Sequence, residues 1–236
     1  MYFYGFDMTY VILVLPCLIL AMLASSNVNN TFKKYAKQMS RRGITGAEAA
    51  KRVLYAHGIN DVQITHVSGN LTDHYDPQSN TIRLSDSVYS NSSTAAIGVA
   101  CHEAGHAVQY AKNYAPIKLR AAIIPVTNLG SKLAMPLILL GIVLNFLGEF
   151  SYTFVYLGIA CFGLSFIFQL ITLPVEFNAS RRALQAIDNQ ELLTAEELKG
   201  AKKTLQAAAM TYVAATAVAL AQLLRLIMIF GKRRND

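Results

Sequence analysis

The chain has 236 residues, of which 53% are hydrophobic and only 15% charged, with a mean hydropathy of +0.34. That is too apolar for an ordinary soluble domain and predicts a membrane protein. The net charge of +7 does not point to nucleic acid, because the basic residues flank apolar runs and lack the aromatic interleaving of a strand-binding groove; no nucleic-acid partner is expected.

Residues 8–24 form a continuous apolar run with one proline and no charge, long enough to cross a bilayer. Asp7 precedes it without any Lys or Arg, the wrong flank for a cleaved signal peptide, so residues 1–25 are expected to be an N-terminal transmembrane anchor. Lys33, Lys34, Lys37, Arg41 and Arg42 follow closely and place that end in the cytoplasm. Cys17 and Cys161 lie in apolar runs and Cys101 precedes a candidate ligand, a pattern of a reducing compartment and not of a disulfide framework.

A soluble region follows. Thr45 and Glu48 make a Thr-x-x-Glu capping box for a helix over 47–57, which Gly58 closes, with His57 a helix-end residue. Over 61–85 the period changes to alternation, with turns at 68–70 and 76–80, predicting a small antiparallel sheet. Residues 81–85 are the candidate edge strand for pairing with an extended substrate. Asp73, His74 and Asp76 read either as a polar cluster able to meet a metal or as turn residues, and His74 also as a substrate-side group that could stabilise a transition state.

Ser92, Ser93 and Thr94 cap a helix running to about Lys112. It carries His102-Glu103-Ala104-Gly105-His106, a His-Glu-x-x-His pattern. At 3.6 residues per turn, His102 and His106 share a face and converge on one zinc ion, and Glu103 beside them can take a proton from a zinc-activated water as general base. The bland alternative is two buried histidines on a core helix. Cys101, about 100° around the helix from His102, is expected to be a buried small hydrophobe.

Two further apolar runs, 127–147 and 150–170, are joined by a short segment with Gly148 and Glu149 and predict a transmembrane hairpin; Lys132 can snorkel to the interface. Because a hairpin crosses twice, the chain after it returns to the side of the His102 helix. Glu176 is therefore the candidate third ligand, with Pro174 at the first turn of its helix and Ser180 one turn on. Two His and one Glu leave a fourth position open, as catalytic zinc requires. The alternative is an interfacial Glu paired with Arg181 or Arg182.

The order His-Glu-Ala-Gly-His, hairpin, then Leu173-Pro174-Val175-Glu176-Phe177-Asn178-Ala179-Ser180-Arg181-Arg182-Ala183-Leu184 resembles the YugP-like membrane zinc metallopeptidases, as do 71–77, 83–85 and 208–215. More distantly it is similar to HtpX-like membrane proteases. The resemblance covers nearly the whole chain and implies zinc ligands His102, His106 and Glu176 with Glu103 as base. Asn178 departs from the pattern, where Asp is expected.

Thr194 and Glu197 make another capping box, and 207–230 is a last apolar stretch, either a fourth span or a helix packed on the catalytic region. A fourth span would put Lys232, Arg233 and Arg234 outside, against eleven basic residues between the first span and the hairpin.

The expected architecture is α+β and predominantly helical: a multi-span membrane protein with a zincin-like catalytic domain. It comprises an anchor (1–25), a catalytic region (26–120), a hairpin (121–172), a third-ligand helix (173–206) and a C-terminal membrane helix with a basic tail (207–236). The expected function is a zinc metallopeptidase with one zinc ion, a multi-pass cell-membrane location, a cytoplasmic active site, and a peptide or membrane protein as substrate, with membrane lipid around it. The other readings are a membrane scaffold with a structural metal, or a metal-dependent hydrolase of non-peptide amides or lipids.

Overall fold

The computed structural model describes residues 2–3 and 6–231. A two-residue hairpin, β1 (Tyr2–Phe3) and β2 (Phe6–Asp7), leads through a wide helical turn at Tyr10–Val14 into α1 (Leu15–Tyr35). There follow α2 (Gly46–Ala56), β3 (Gln63–Val67), β4 (His74–Asp76), β5 (Thr81–Ser85), α3 (Thr94–Ala111), α4 (Ala115–Val143), α5 (Glu149–Asn189) and α6 (Ala195–Gly231). The chain divides into two compact units, one of Met1–Leu23, Leu119–Leu173 and Tyr212–Asp236, the other of Ala24–Lys118 and Pro174–Thr211.

The second unit holds the sheet and α3. Its ends are set by local capping. The Thr45 hydroxyl accepts from the Glu48 amide while Glu48 accepts from the Thr45 amide, and the same reciprocal pair forms between Thr194 and Glu197. Ser93 accepts from the Ala96 amide at the start of α3. The ring of His57 reaches the Val53 carbonyl at the end of α2. The core beneath joins Val53 and Leu54 of α2, Ile82 and Leu84 of β5, Ile97, Ala100 and Ala104 of α3, Ala183 and Ile187 of α5, and Ala201 and Leu205 of α6. Small residues on α3 let its neighbours approach closely.

The sheet corrects two expectations. Its order is β3-β5-β4, with β4 antiparallel but β3 parallel to β5, so it is mixed and not antiparallel throughout. Residues 81–85 are the central strand and not an edge. The reason lies in burial: Thr81, Ile82, Leu84 and Ser85 are all buried, whereas β3 and β4 keep exposed positions. A strand covered on both faces gains most from the middle position. The segment between β3 and β4 is tied down by Asp86, whose carboxylate accepts from the Gly69 amide and meets His66 Nε2.

The first unit is helical apart from β1 and β2. Four helices, Tyr10–Tyr35, Ala115–Val143, Glu149–Asn189 and Ala195–Gly231, are long and apolar enough to cross a membrane. Large apolar side chains on them stay exposed, Met22 at 63% and Val143 at 71%, which is costly in water and cost-free in lipid. Within this unit Ile138 of α4, Val155 and Ile159 of α5, and Leu226 and Phe230 of α6 form one cluster. Gly158 lets the α4 and α5 backbones meet, since a Cβ there would lie 2.8 Å from the Ala134 carbonyl oxygen. Pro174 sits inside α5 and not at a first helical turn. The helix runs through it, as α4 runs through Pro125 and Pro136.

The last apolar stretch is one continuous helix, and the basic residues Lys232, Arg233 and Arg234 lie outside the described residues. Near its end Arg225 clasps Asp7: Nη2 lies 2.5 Å and Nε 2.7 Å from Asp7 Oδ2, and the guanidinium lies over the Tyr10 ring. Removing one partner of a partly buried pair strands the other charge. Asp7→Ala and Arg225→Met should each lower the melting temperature of the detergent-purified protein, and the double variant should recover most of the loss. Additive losses in this double-mutant cycle would show that the pair does not couple the two segments.

Candidate metal centre

α3 presents His102 and His106 one turn apart, their rings meeting edge-on with centroids 4.7 Å apart and planes at 82°. α5 brings Glu176 to them: its Oε2 lies 3.3 Å from His102 Nε2 and 3.5 Å from His106 Nε2. One ligand atom from each of the three lies within 4.8 Å of the others, and no other such group occurs among the described residues. Four-coordinate zinc with bonds of about 2.0–2.1 Å sets neighbouring donors roughly 3.3–3.4 Å apart. The two N···O distances match that spacing, and they are long for hydrogen bonds. The donor set therefore fits a zinc ion.

The approach of α5 depends on a missing side chain. A Cβ on Gly105, between the two histidines, would lie 2.7 Å from the Ala179 carbonyl oxygen. Ala179 is three residues after Glu176 and shares its helical face. Contact between the helix backbones at Gly105 is thus what delivers the carboxylate.

Each histidine is also held by its other nitrogen. Ser180 Oγ lies 3.1 Å from His102 Nδ1, at the residue expected one turn beyond Glu176. Gln109 Oε1 lies 3.0 Å from His106 Nδ1. Gln109, fully buried, was not a sequence candidate; the signal was its spacing of three from His106, which sets it on the ligand face. Asn178, in place of the expected Asp, accepts from Gln109 Nε2 at 3.0 Å and from Arg182 Nε at 2.7 Å. Arg182 is thus engaged with Asn178, and Arg181 is exposed.

Glu103 is buried on α3, at 8% exposure. Cys101 is fully buried and burial pushes its thiol pKa well up, so it packs as a small hydrophobe. The polar residues near β4 serve the turn. Asp76 accepts from Arg83 Nη1, Ser79 Oγ and the Gln78 amide, and the Arg83 bond comes first in holding its carboxyl below the ordinary range. Asp73 accepts from the amide and hydroxyl of Ser85; burial raises its pKa, and the charge of Glu103 adds to the rise. His74 is exposed with Nδ1 on the Thr72 carbonyl. Tyr75 of β4 packs on Tyr110 of α3, centroids 5.6 Å apart, and so seats the β4 edge beside the helix that carries the histidines.

The model of a family described as "Putative neutral zinc metallopeptidase" matches residues 10–231. The "Putative membrane protease YugP" of Bacillus subtilis (strain 168) is 46% identical over 229 residues, which is 97% of this chain and 100% of that protein. No solved structure matches the chain. The chain belongs to this family, described as "Putative neutral zinc metallopeptidase".

Gly105→Ala should separate α5 from α3, because the contact is with backbone and no side chain can rotate away. The expected cost is about 1–3 kcal/mol of stability, with zinc content per chain falling even where the protein remains folded. Full zinc content at unchanged stability would show that the helices do not need this contact.

Proposed function

We propose that the chain, as a member of this family, hydrolyses peptide bonds at the His102, His106 and Glu176 centre with Glu103 as general base. The observation that carries this is the convergence of three donor atoms from α3 and α5 on one point, next to a buried carboxylate on α3. Zinc held there supplies a Lewis acid that polarises a carbonyl and makes water acidic enough to attack near neutral pH. Glu103 takes the proton of the attacking water and returns it to the leaving amine, so no free hydroxide or amide anion is released. His102 and His106 offer neutral imidazole nitrogens and Glu176 one negative charge, a set of three that leaves a coordination position for the reaction. A structural site would use four protein ligands, and the described residues offer three with Cys101 buried away in the core. One zinc ion per chain follows from this set.

An extended substrate is best accommodated on β4. It is an edge strand, and α3 packs against it, whereas β5 has both neighbours already. His74, on that strand and exposed, is placed to meet such a substrate.

The same reading makes the protein a multi-pass membrane protease with the site on the cytoplasmic face. The basic flank after the first apolar run and the eleven basic residues before the hairpin favour that orientation. The Asp7–Arg225 clasp supports α6 as a fourth crossing, since Asp7 precedes the first apolar run and Arg225 lies near the end of the last.

Two measurements test this. Glu103→Gln should keep zinc and lose at least about a hundredfold in peptide hydrolysis, whereas Glu176→Ala should lose zinc far more than Asp73→Ala or Asp76→Ala. Unchanged turnover in zinc-loaded Glu103→Gln would remove the base; full zinc in Glu176→Ala with loss in Asp76→Ala would move the third ligand to the segment after Leu71 that carries Asp76. For orientation, a cysteine placed at the exposed Gly148 should react with an impermeant thiol reagent outside intact cells and one at the exposed Gln185 should not. Labelling at Gln185 from outside would invert the topology.

A further inference from the structure

We propose that Gln109 and Asn178 are positioning residues that lock the His106 ring into one tautomer, with hydrogen on Nδ1 and the lone pair of Nε2 turned toward Glu176. The assignment follows from which atoms can only donate and which can only accept. Gln109 Nε2 lies 2.8 Å from the Val175 carbonyl oxygen. A carbonyl oxygen only accepts, so this end of the amide must be the NH2 group and the other end the oxygen. The oxygen is the atom facing His106 Nδ1 at 3.0 Å. An amide oxygen only accepts, so Nδ1 must carry the hydrogen, and a neutral imidazole then has its lone pair on Nε2.

Asn178 secures the same direction from the other side. Arg182 Nε can only donate, and it reaches Asn178 Oδ1 at 2.7 Å. This fixes the Asn178 amide with its oxygen inward, where it accepts the second hydrogen of Gln109 Nε2 at 3.0 Å. The Arg182 guanidinium in turn lies over the Tyr114 ring, 5.9 Å from its centroid. Every bond therefore runs in one sense: Arg182 and Gln109 donate to Asn178, Gln109 donates to Val175, and His106 donates to Gln109. Reversing any amide would set acceptor against acceptor or donor against donor inside a buried region, at the cost of unsatisfied polar groups.

His102 differs. Its Nδ1 meets the hydroxyl of Ser180, which donates or accepts equally well and imposes no tautomer. His106 is therefore the preset ligand and His102 the adaptable one. The departure at Asn178 is also accounted for. Both groups that meet Oδ1 are donors, so an amide oxygen meets the same demand as a carboxylate oxygen, and the network needs no charge there.

The inference concerns the metal-free chain and stands apart from whether Glu103 performs hydrolysis. In metal-free protein at alkaline pH, with 15N-labelled histidine, His106 should show a protonated Nδ1 and a bare Nε2 as a single tautomer, because the Gln109 oxygen at 3.0 Å outcompetes the Glu176 carboxylate, which stands 3.5 Å from Nε2. Gln109→Leu should release it to a mixture and weaken zinc binding by about tenfold to a hundredfold. Asn178→Asp should preserve both the tautomer and the affinity, because both acceptor contacts survive; Asn178→Leu should lose part of each. A wild-type His106 protonated on Nε2 overturns the proposal without any variant, which covers the case in which Gln109→Leu does not fold. So does a Gln109→Leu protein that retains the single tautomer and wild-type zinc affinity. Should Glu103→Gln keep full activity while His106 behaves as stated, the hydrolytic mechanism fails and this inference holds.

Discussion

The contact of α3 with α5 at Gly105 is the constraint on which the centre depends. The two histidines come from one helix and are placed by its pitch alone. The carboxylate comes from residue 176, and only direct packing of one backbone on the other brings it within 3.5 Å of both rings. Where a Cβ would stand 2.7 Å from the Ala179 oxygen, glycine is the residue that leaves the approach open. The position of Gly105 inside the His-Glu-x-x-His pattern is thus not spare: it separates the two histidines in sequence and joins them to Glu176 in space.

Around this contact a short chain of side-chain and backbone partners satisfies the polar groups. Gln109 occupies a fully buried site among Val175, Asn178 and His106. An amide has both donors and an acceptor, which suits a place bordered by a carbonyl, a second amide and an imidazole N–H. A carboxylate at 109 would face two oxygens, and an apolar side chain would take away the acceptor that meets His106 Nδ1. The requirement is local and geometric.

Much of this was legible in the sequence because it depends on helical period and capping. Thr45 with Glu48, Ser93 and Thr194 with Glu197 mark helix starts by interactions within one turn, so a linear reading finds them. The spacing of His102 and His106 belongs to the same class. Glu176 and Ser180 could be named because the hairpin and the four-residue spacing leave few alternatives, and the structure brings both to the histidines. The sheet order could not be read in this way. Alternation in 63–67 and 81–85 is the same for parallel and antiparallel neighbours, and the order is decided by which strand the rest of the unit covers on both sides. The near-continuous burial of Thr81 to Ser85 is a tertiary outcome, although Ile82 and Leu84 beside the small Thr and Ser hinted at it. Pro174 misled for a related reason. A proline is compatible with a helix start by its fixed φ, but a long helix can carry it internally when neighbouring contacts outweigh the lost hydrogen bond.

Charge explains why a neutral residue at 178 suits this chain. Glu103 and Glu176 are both buried, and Asp73 is raised in pKa by its own burial and by the charge of Glu103. A divalent cation at this candidate centre would offset these acids, but a chain folding before it acquires metal would have no such offset. A carboxylate at 178 would rely on Arg182 Nε, 2.7 Å away, to offset its charge. Asn178 supplies the acceptor that Gln109 and Arg182 require and no further negative charge, so the hydrogen-bond direction around His106 is set without deepening the electrostatic cost of the metal-free state.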